Sequence, residues 1–239
     1  MKLKALYAAA LVAAIVTGAA TAARAAGLPD GYTAVEYIES TGGQYIDTGV
    51  AAKTGVKVEA RALWTTEDQD SAFIGARKNS EDTRFYPIWY YDGALSYGHK
   101  EWKPLSEAKV PANSVVDIVS DFTTAGQATI KVGSSEYQIT GLGDAFDAGL
   151  TMYLGALNSG GSAGSGMQGR IHNCKIYEMQ SGTLVLVRNF VPCVRESDLA
   201  VGLYDLAASD PSKAFYANAG IGKFGVPEGT FCTVTVGAI

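Results

Sequence analysis

Most of this chain is written in a repeat of two. Val56, Val58, Ala60, Ala62 and Trp64 alternate with Lys57, Glu59 and Arg61. That period sets every second side chain on one face of a β-strand and predicts one buried face. Ala128, Ile130 and Val132 alternate in the same way with Thr129 and Lys131, and Gly133-Ser134-Ser135 then turns the chain towards Tyr137 and Ile139. Residues 114–122 form a Val- and Ile-rich run, and residues 85–91 an aromatic one, followed by the hairpin signal Asp92-Gly93 and then Leu95 and Tyr97. Residues 152–157, 171–177 and 184–191 continue the series. The best helical candidate, residues 196–208, is interrupted by Gly202. The 28 glycines supply turns and bulges. Strands separated by such turns, with no helices between them, predict an all-β sandwich of antiparallel sheets. The run SGGSAGSG, residues 159–166, reads as a flexible surface loop between two strands, so residues 26–239 are expected to form one domain.

The N-terminus is set apart from this pattern. Lys2 and Lys4 precede an apolar run from Leu6 to Val16, and small residues lead to Ala23-Arg24-Ala25. This is the layout of a signal peptide over residues 1–25, cleaved to leave Ala26 first. The continuous apolar part is shorter than the roughly 20 residues of a membrane span, so no membrane span is expected in the mature chain. The expected location is extracellular, at the cell surface or periplasmic. Losing the leader's three basic residues takes the formal charge from −5 to −8. Without a Lys/Arg block there is no positive stripe for a phosphate backbone, which argues against a nucleic-acid partner.

Cys174 and Cys193 fall on two runs that read as one hairpin around Ser181-Gly182. Pairing Gln180 with Thr183 places Cys174 opposite Asn189 and Cys193 opposite Arg170, four residues out of register and beyond disulfide reach. Cys232 is left over, and buried free thiols are the preferred reading.

Residues 28–49, LPDGYTAVEYIESTGGQYIDTG, resemble the opening of LamG-like domains from exported and surface proteins of bacteria. GRIHNCKIYE, LVRNFVPC, VGLYD and FYANAGIGKF resemble the closing run of those domains in order and spacing. FIGAR and RFYPIWYYDGALSYG are similar to their central strands. The resemblance covers essentially the whole mature chain. It implies a concanavalin A-like jelly roll serving in recognition or adhesion, with a glycan or other cell-surface ligand as partner.

Some jelly rolls of that superfamily are glycoside hydrolases, which need two converging carboxylates. The E-x-D-x-E type of run they resemble is missing here. Glu67, Asp68 and Asp70 come closest but read as a solvated turn, and Glu36 and Glu39 lie on opposite strand faces. Two histidines limit base catalysis: His172 reads as a packed strand residue on the side of Cys174 and Ile176, and His99 as exposed near a turn. No catalytic residue is assigned. Relatives often hold calcium on loop carboxylates, so Asp68, Asp70, Asp144 and Asp147 are the calcium candidates, and no other cofactor is implied.

The densest chemical signal is aromatic. Sugar faces pack on Trp and Tyr rings framed by a few polar groups. Arg84, Tyr86, Trp89, Tyr90, Asp92, Tyr97 and Trp102 are therefore the candidate ligand-binding residues. Strict alternation faces Phe85, Pro87, Trp89 and Tyr91 one way and Tyr86, Ile88 and Tyr90 the other, with Tyr86 and Tyr90 beside Arg84 or Asp92 as a platform. The expected function is carbohydrate recognition without catalysis. A glycan-active hydrolase or lyase and a purely structural surface protein are the alternatives.

Overall fold

A computed structural model describes residues 27–78, 83–228 and 230. The leader and Cys232 lie outside them. The chain is all-β, two sheets packed face to face. Sheet A runs in the order β10 (Ser135–Thr140), β9 (Gln127–Val132), β8 (Val116–Asp121), β4 (Val56–Trp64), β14 (Gln168–Gln180), β15 (Thr183–Arg195), β16 (Ala200–Asp205) and β17 (Phe215–Ala217). Two short strands join it, β1 (Tyr32–Ala34) against β15 and β2 (Ile38–Thr41) against β14. Sheet B contains β13 (Ser162–Gly164), β12 (Leu157–Ser159), β5 (Asp70–Arg77), β11 (Asp147–Leu154) and β3 (Ile46–Lys53) in that order. It is extended by β6 (Arg84–Tyr91) on β5 and β7 (Ala94–Lys109) on β6. These pairings are antiparallel apart from β12 on β5, which is parallel.

The sandwich closes on the apolar halves of the alternating strands. Val56, Val58, Ala60, Ala62 and Trp64 all lie in the core, as their period requires, beside Ile118 of β8 and Ala128, Ile130 and Val132 of β9. Sheet B contributes Ile46, Ile74, Phe85, Ile88, Met152 and Leu154 from the facing side. Each such side chain taken from water stabilises the fold by about 1.5–3 kcal/mol. Aromatic pairs join the layers: Phe85 of β6 meets Phe122, just past β8, edge to face at 5.2 Å.

The Asp92-Gly93 turn forms as the sequence predicts. Tyr91 pairs with Ala94, and Asp92 (φ 47°) and Gly93 (φ 72°) take the left-handed conformations of a type I′ turn. The run expected to be a flexible loop over 159–166 is instead largely ordered as a small hairpin. Ser159 pairs with Ser162 across Gly160 and Gly161, both at positive φ. Two adjacent glycines are what such a two-residue turn needs, so glycine richness here marks a hairpin. The interrupted helical candidate at 196–208 holds β16.

Bulges account for the other departures. Gln180 pairs with Thr183 as expected, but a register shift between Ile176 and Tyr177 brings Cys174 opposite Phe190 rather than Asn189. Cys193 pairs with Gly202 of β16 and Ala34 of β1, not Arg170. Both thiols are free and buried. A second shift, between Ile171 and Asn173, sends Ile171 and Cys174 into the core. His172 therefore does not share the Cys174 face; it packs 5.5 Å from the Tyr37 ring.

Candidate functional site

The site is made by an irregularity in β6. Proline has no N–H for the ladder and is confined within sheets to edges, strand starts and bulges. Tyr86 pairs with Gly98 and Trp89 with Ser96, so Pro87 and Ile88 together oppose the single residue Tyr97. That extra residue breaks the alternation. Phe85, Ile88 and Tyr90 point into the core, whereas Tyr86 and Trp89 form an outer cluster with Ala72, Leu157 and Trp102. The expected Tyr86–Tyr90 platform is thus corrected. Tyr90 stacks on Trp64 across the sandwich at 4.6 Å, and its hydroxyl donates to the Val110 carbonyl at 2.9 Å.

Tyr86 lies flat on the sheet because its neighbours on both adjoining strands are glycines. A Cβ at Gly98 would sit 2.5 Å from the Tyr86 ring, and one at Gly75 would sit 3.0 Å from it. The ring packs against Trp89 at 4.7 Å. Trp89 is fixed in turn by its indole N–H, which donates to Asp70 Oδ1 at 2.8 Å. Trp102 arrives because β7 doubles back. Lys100 has φ 67°, and Val110 N–H donates to the Gly93 carbonyl, returning the chain to the start of the strand. The Trp102 indole then donates to Ser96 Oγ at 3.1 Å and meets Tyr91 edge-on at 5.3 Å.

Together Asp70, Arg77, Arg84, Tyr86, Trp89, Tyr91 and Trp102 line an open pocket of about 290 Å³, near the lower end of small-molecule sites. Tyr86 and Trp89 are buried at its floor, Trp102 is half-buried, and Tyr91 is 44% exposed. Arg77 donates from Nε to Ser159 Oγ at 3.2 Å. The Tyr86 hydroxyl is buried and makes no hydrogen bond of full geometry. Burial raises its pKa, while the nearby Arg77 and Arg84 guanidinium groups act in the opposite direction. A second cavity of about 230 Å³, lined by Gly42, Gly43, Tyr45, Gly220 and Ile221 among others, has no charged side chain among the described residues.

Of the sequence candidates, Arg84, Tyr86, Trp89 and Trp102 are gathered in the first pocket. Tyr90 and Tyr97 are core residues, and Asp92 is exposed on the hairpin turn, lining a smaller neighbouring cavity. Arg77 and Tyr91 were not among the candidates, and Asp70 was one only for calcium. Pro87 within an aromatic strand was the signal that could have found the bulge and hence Tyr91.

The calcium candidates do not converge. Asp68 and Asp144 are exposed in turns, and Asp147 accepts from the Gly149 N–H at 2.7 Å. Among the described residues, no three His, Cys, Asp or Glu side chains are grouped to hold a metal ion. His99, expected to be exposed, is buried beside Phe122 and Phe146, with Nε2 3.1 Å from Thr54 Oγ1. Burial lowers its pKa, as it does that of His172. Glu39 is tied to Arg170 at 2.7 Å, and Glu36 stands 4.0 Å from His172.

No family model matches the chain, and no curated protein sequence matches it significantly. Solved structures do match. One is the Ruminococcus gnavus IT-sialidase CBM40 bound to α2,3-sialyllactose, at 12% identity and a TM-score of 0.45, covering 59% of this chain and 89% of that one. The fold assignment rests on the two sheets themselves.

Proposed function

We propose that this chain is an exported, non-catalytic recognition module of LamG-like type that binds carbohydrate in the pocket on the outer face of sheet B. One observation carries the reading: four aromatic rings and three charged side chains meet in one open cavity, with Trp89 and Trp102 held by hydrogen bonds from their indole N–H groups. Rigid aromatic surfaces framed by a few polar groups suit the apolar faces and hydroxyl edges of a sugar. The sequence resemblance and the leader-like N-terminus agree with a recognition role outside the cytoplasm.

A hydrolase would need two carboxylates across the bond to be cut. Asp70 is the one carboxylate lining this pocket among the described residues, and it already accepts the Trp89 N–H. That favours binding over turnover. Among the described residues, no helix is long and apolar enough to cross a membrane.

The test is a broad glycan array on the purified protein, run with and without calcium. Binding that is lost on Trp102→Ala, in a variant that keeps its melting temperature, supports the reading. Silence from folded protein across the array sinks it and favours a structural, protein-binding role.

A further inference from the structure

We infer that the ligand is an oligosaccharide, not a single sugar, and that a further unit of it lies in the smaller cavity beyond Tyr91; this rests on the carbohydrate reading above. The smaller cavity, about 130 Å³, adjoins the first, and Tyr91 lines both. One stretch of β7 also serves both. Trp102, Pro104 and Ser106 are two residues apart, so an extended strand sets them on one face, while Leu105 between them packs against the core. Trp102 stands in the first cavity, and Pro104 and Ser106 in the second. From Trp102 to Ser106 is about 13 Å along such a strand, longer than one sugar ring. Ser96, whose hydroxyl accepts the Trp102 indole N–H, lines the second cavity as well. The two cavities are thus parts of one surface.

Size and chemistry agree with that arrangement. The second cavity is too small to serve alone as a small-molecule site, but the two together reach the ordinary size range of such sites. The first cavity has an aromatic floor. The second carries the carboxylate of Asp92, the ammonium of Lys109 and the hydroxyl of Ser106, all exposed. None of these three side chains has a hydrogen bond or ion pair among the described residues. A carboxylate accepts, an ammonium donates and a hydroxyl does both. That mixture suits a sugar unit, whose hydroxyls also donate and accept. Asp92 is held in place by the left-handed backbone of its turn and by its N–H, which donates to the Gln69 carbonyl at 3.2 Å. One sugar ring would pack on Tyr86 and Trp89 while the next, past Tyr91, met these polar groups.

Isothermal titration with three graded series tests the inference: glucose, cellobiose and cellotetraose; xylose, xylobiose and xylotetraose; galactose, lactose and lacto-N-tetraose. In at least one series the tetrasaccharide is expected to bind at least about tenfold more tightly than its monosaccharide, the gain that one hydrogen bond to a charged group brings. Most of that gain should disappear in Ser106→Ala combined with Lys109→Ala, two exposed positions outside the lining of the first cavity. Asp92→Asn, which suits the turn but removes the charge, should lose part of it. Melting temperatures measured alongside separate these effects from unfolding. Equal binding of monosaccharide and tetrasaccharide overturns the inference and leaves the carbohydrate reading standing. So does a length gain that survives Ser106→Ala, Lys109→Ala and Asp92→Asn together. If all three series are silent but the array shows another hit, only the inference fails; if the array is also silent, both fail.

Discussion

The Ser120 hydroxyl donates a 2.6 Å hydrogen bond to the carbonyl oxygen of Pro87, joining the two sheets through the buried core. Ser120 belongs to β8 and is fully buried; Pro87 is half of the β6 bulge. The bulge takes Pro87 out of regular pairing, and the serine satisfies its carbonyl. One cross-core bond therefore supports the irregularity that sends Tyr86 and Trp89 outward and Tyr90 inward.

Ser120→Ala should accordingly do more than remove a small polar group. It strands a buried carbonyl, at a cost of about 1–3 kcal/mol. Chemical denaturation should show that loss, whereas Ser120→Ala stability equal to wild type would mean that the bulge stands without this bond.

Gly98→Ala tests the slot that holds Tyr86. The added methyl would meet the ring at 2.5 Å, and overpacking of this kind costs about 1–3 kcal/mol. Combining it with Tyr86→Ala removes the clash. The double variant should therefore be less destabilised than the sum of the two single variants; strict additivity would show that ring and glycine do not press on each other.

Cys174 and Cys193 are predicted to be inert in the native protein. Burial pushes the Cys174 thiol far up, and the Cys193 thiol up to about 12. Reactivity needs thiolate and access, and these thiols have neither. Peptide-resolved iodoacetamide labelling at pH 8 should find both unmodified until the chain is unfolded. Rapid native labelling of either would contradict their placement.

Acid should destabilise the fold through its two histidines. Burial holds both imidazoles below their usual pKa; the charge of Lys100 adds to this at His99, and that of Glu36 opposes it at His172. The unfolded chain, titrating near the ordinary value of about 6.5, then takes up protons before the native state does. Stability is at full value above that pH and falls as pH drops towards the lower native values. The urea midpoint of wild type should decline from pH 7.5 to 5, and His99→Asn with His172→Asn should flatten the decline. A wild-type midpoint that rises on acidification would be inconsistent with buried, neutral imidazoles.

What the sequence made legible was whatever obeys a local rule. The alternation from Val56 to Trp64 placed that strand's core face correctly, and Asp92-Gly93 and Ser181-Gly182 gave their hairpins with the right closing pairs. Apart from the mark that Pro87 leaves in β6, bulges were not legible, and one extra residue reverses every assignment downstream. That single effect grouped Trp89 and Tyr91 with Phe85 instead of Tyr86, joined His172 to the Cys174 face, and misaligned Cys174 with Asn189. Asp70 and Arg77 were out of reach for another reason. They come from β5, and only the pairing of β5 with β6 brings them to the aromatic cluster.

The most direct measurement is glycan binding by wild type, Trp102→Ala and Tyr90→Phe side by side. Trp102 lines the pocket, and Tyr90, adjacent to Trp89 in sequence, is in the core. The account predicts glycan binding by wild type, its loss in Trp102→Ala although that variant remains folded, and its retention in Tyr90→Phe despite about 1 kcal/mol of lost stability from the missing hydroxyl bond. Undiminished binding by Trp102→Ala, or no glycan bound by folded wild type, would contradict it.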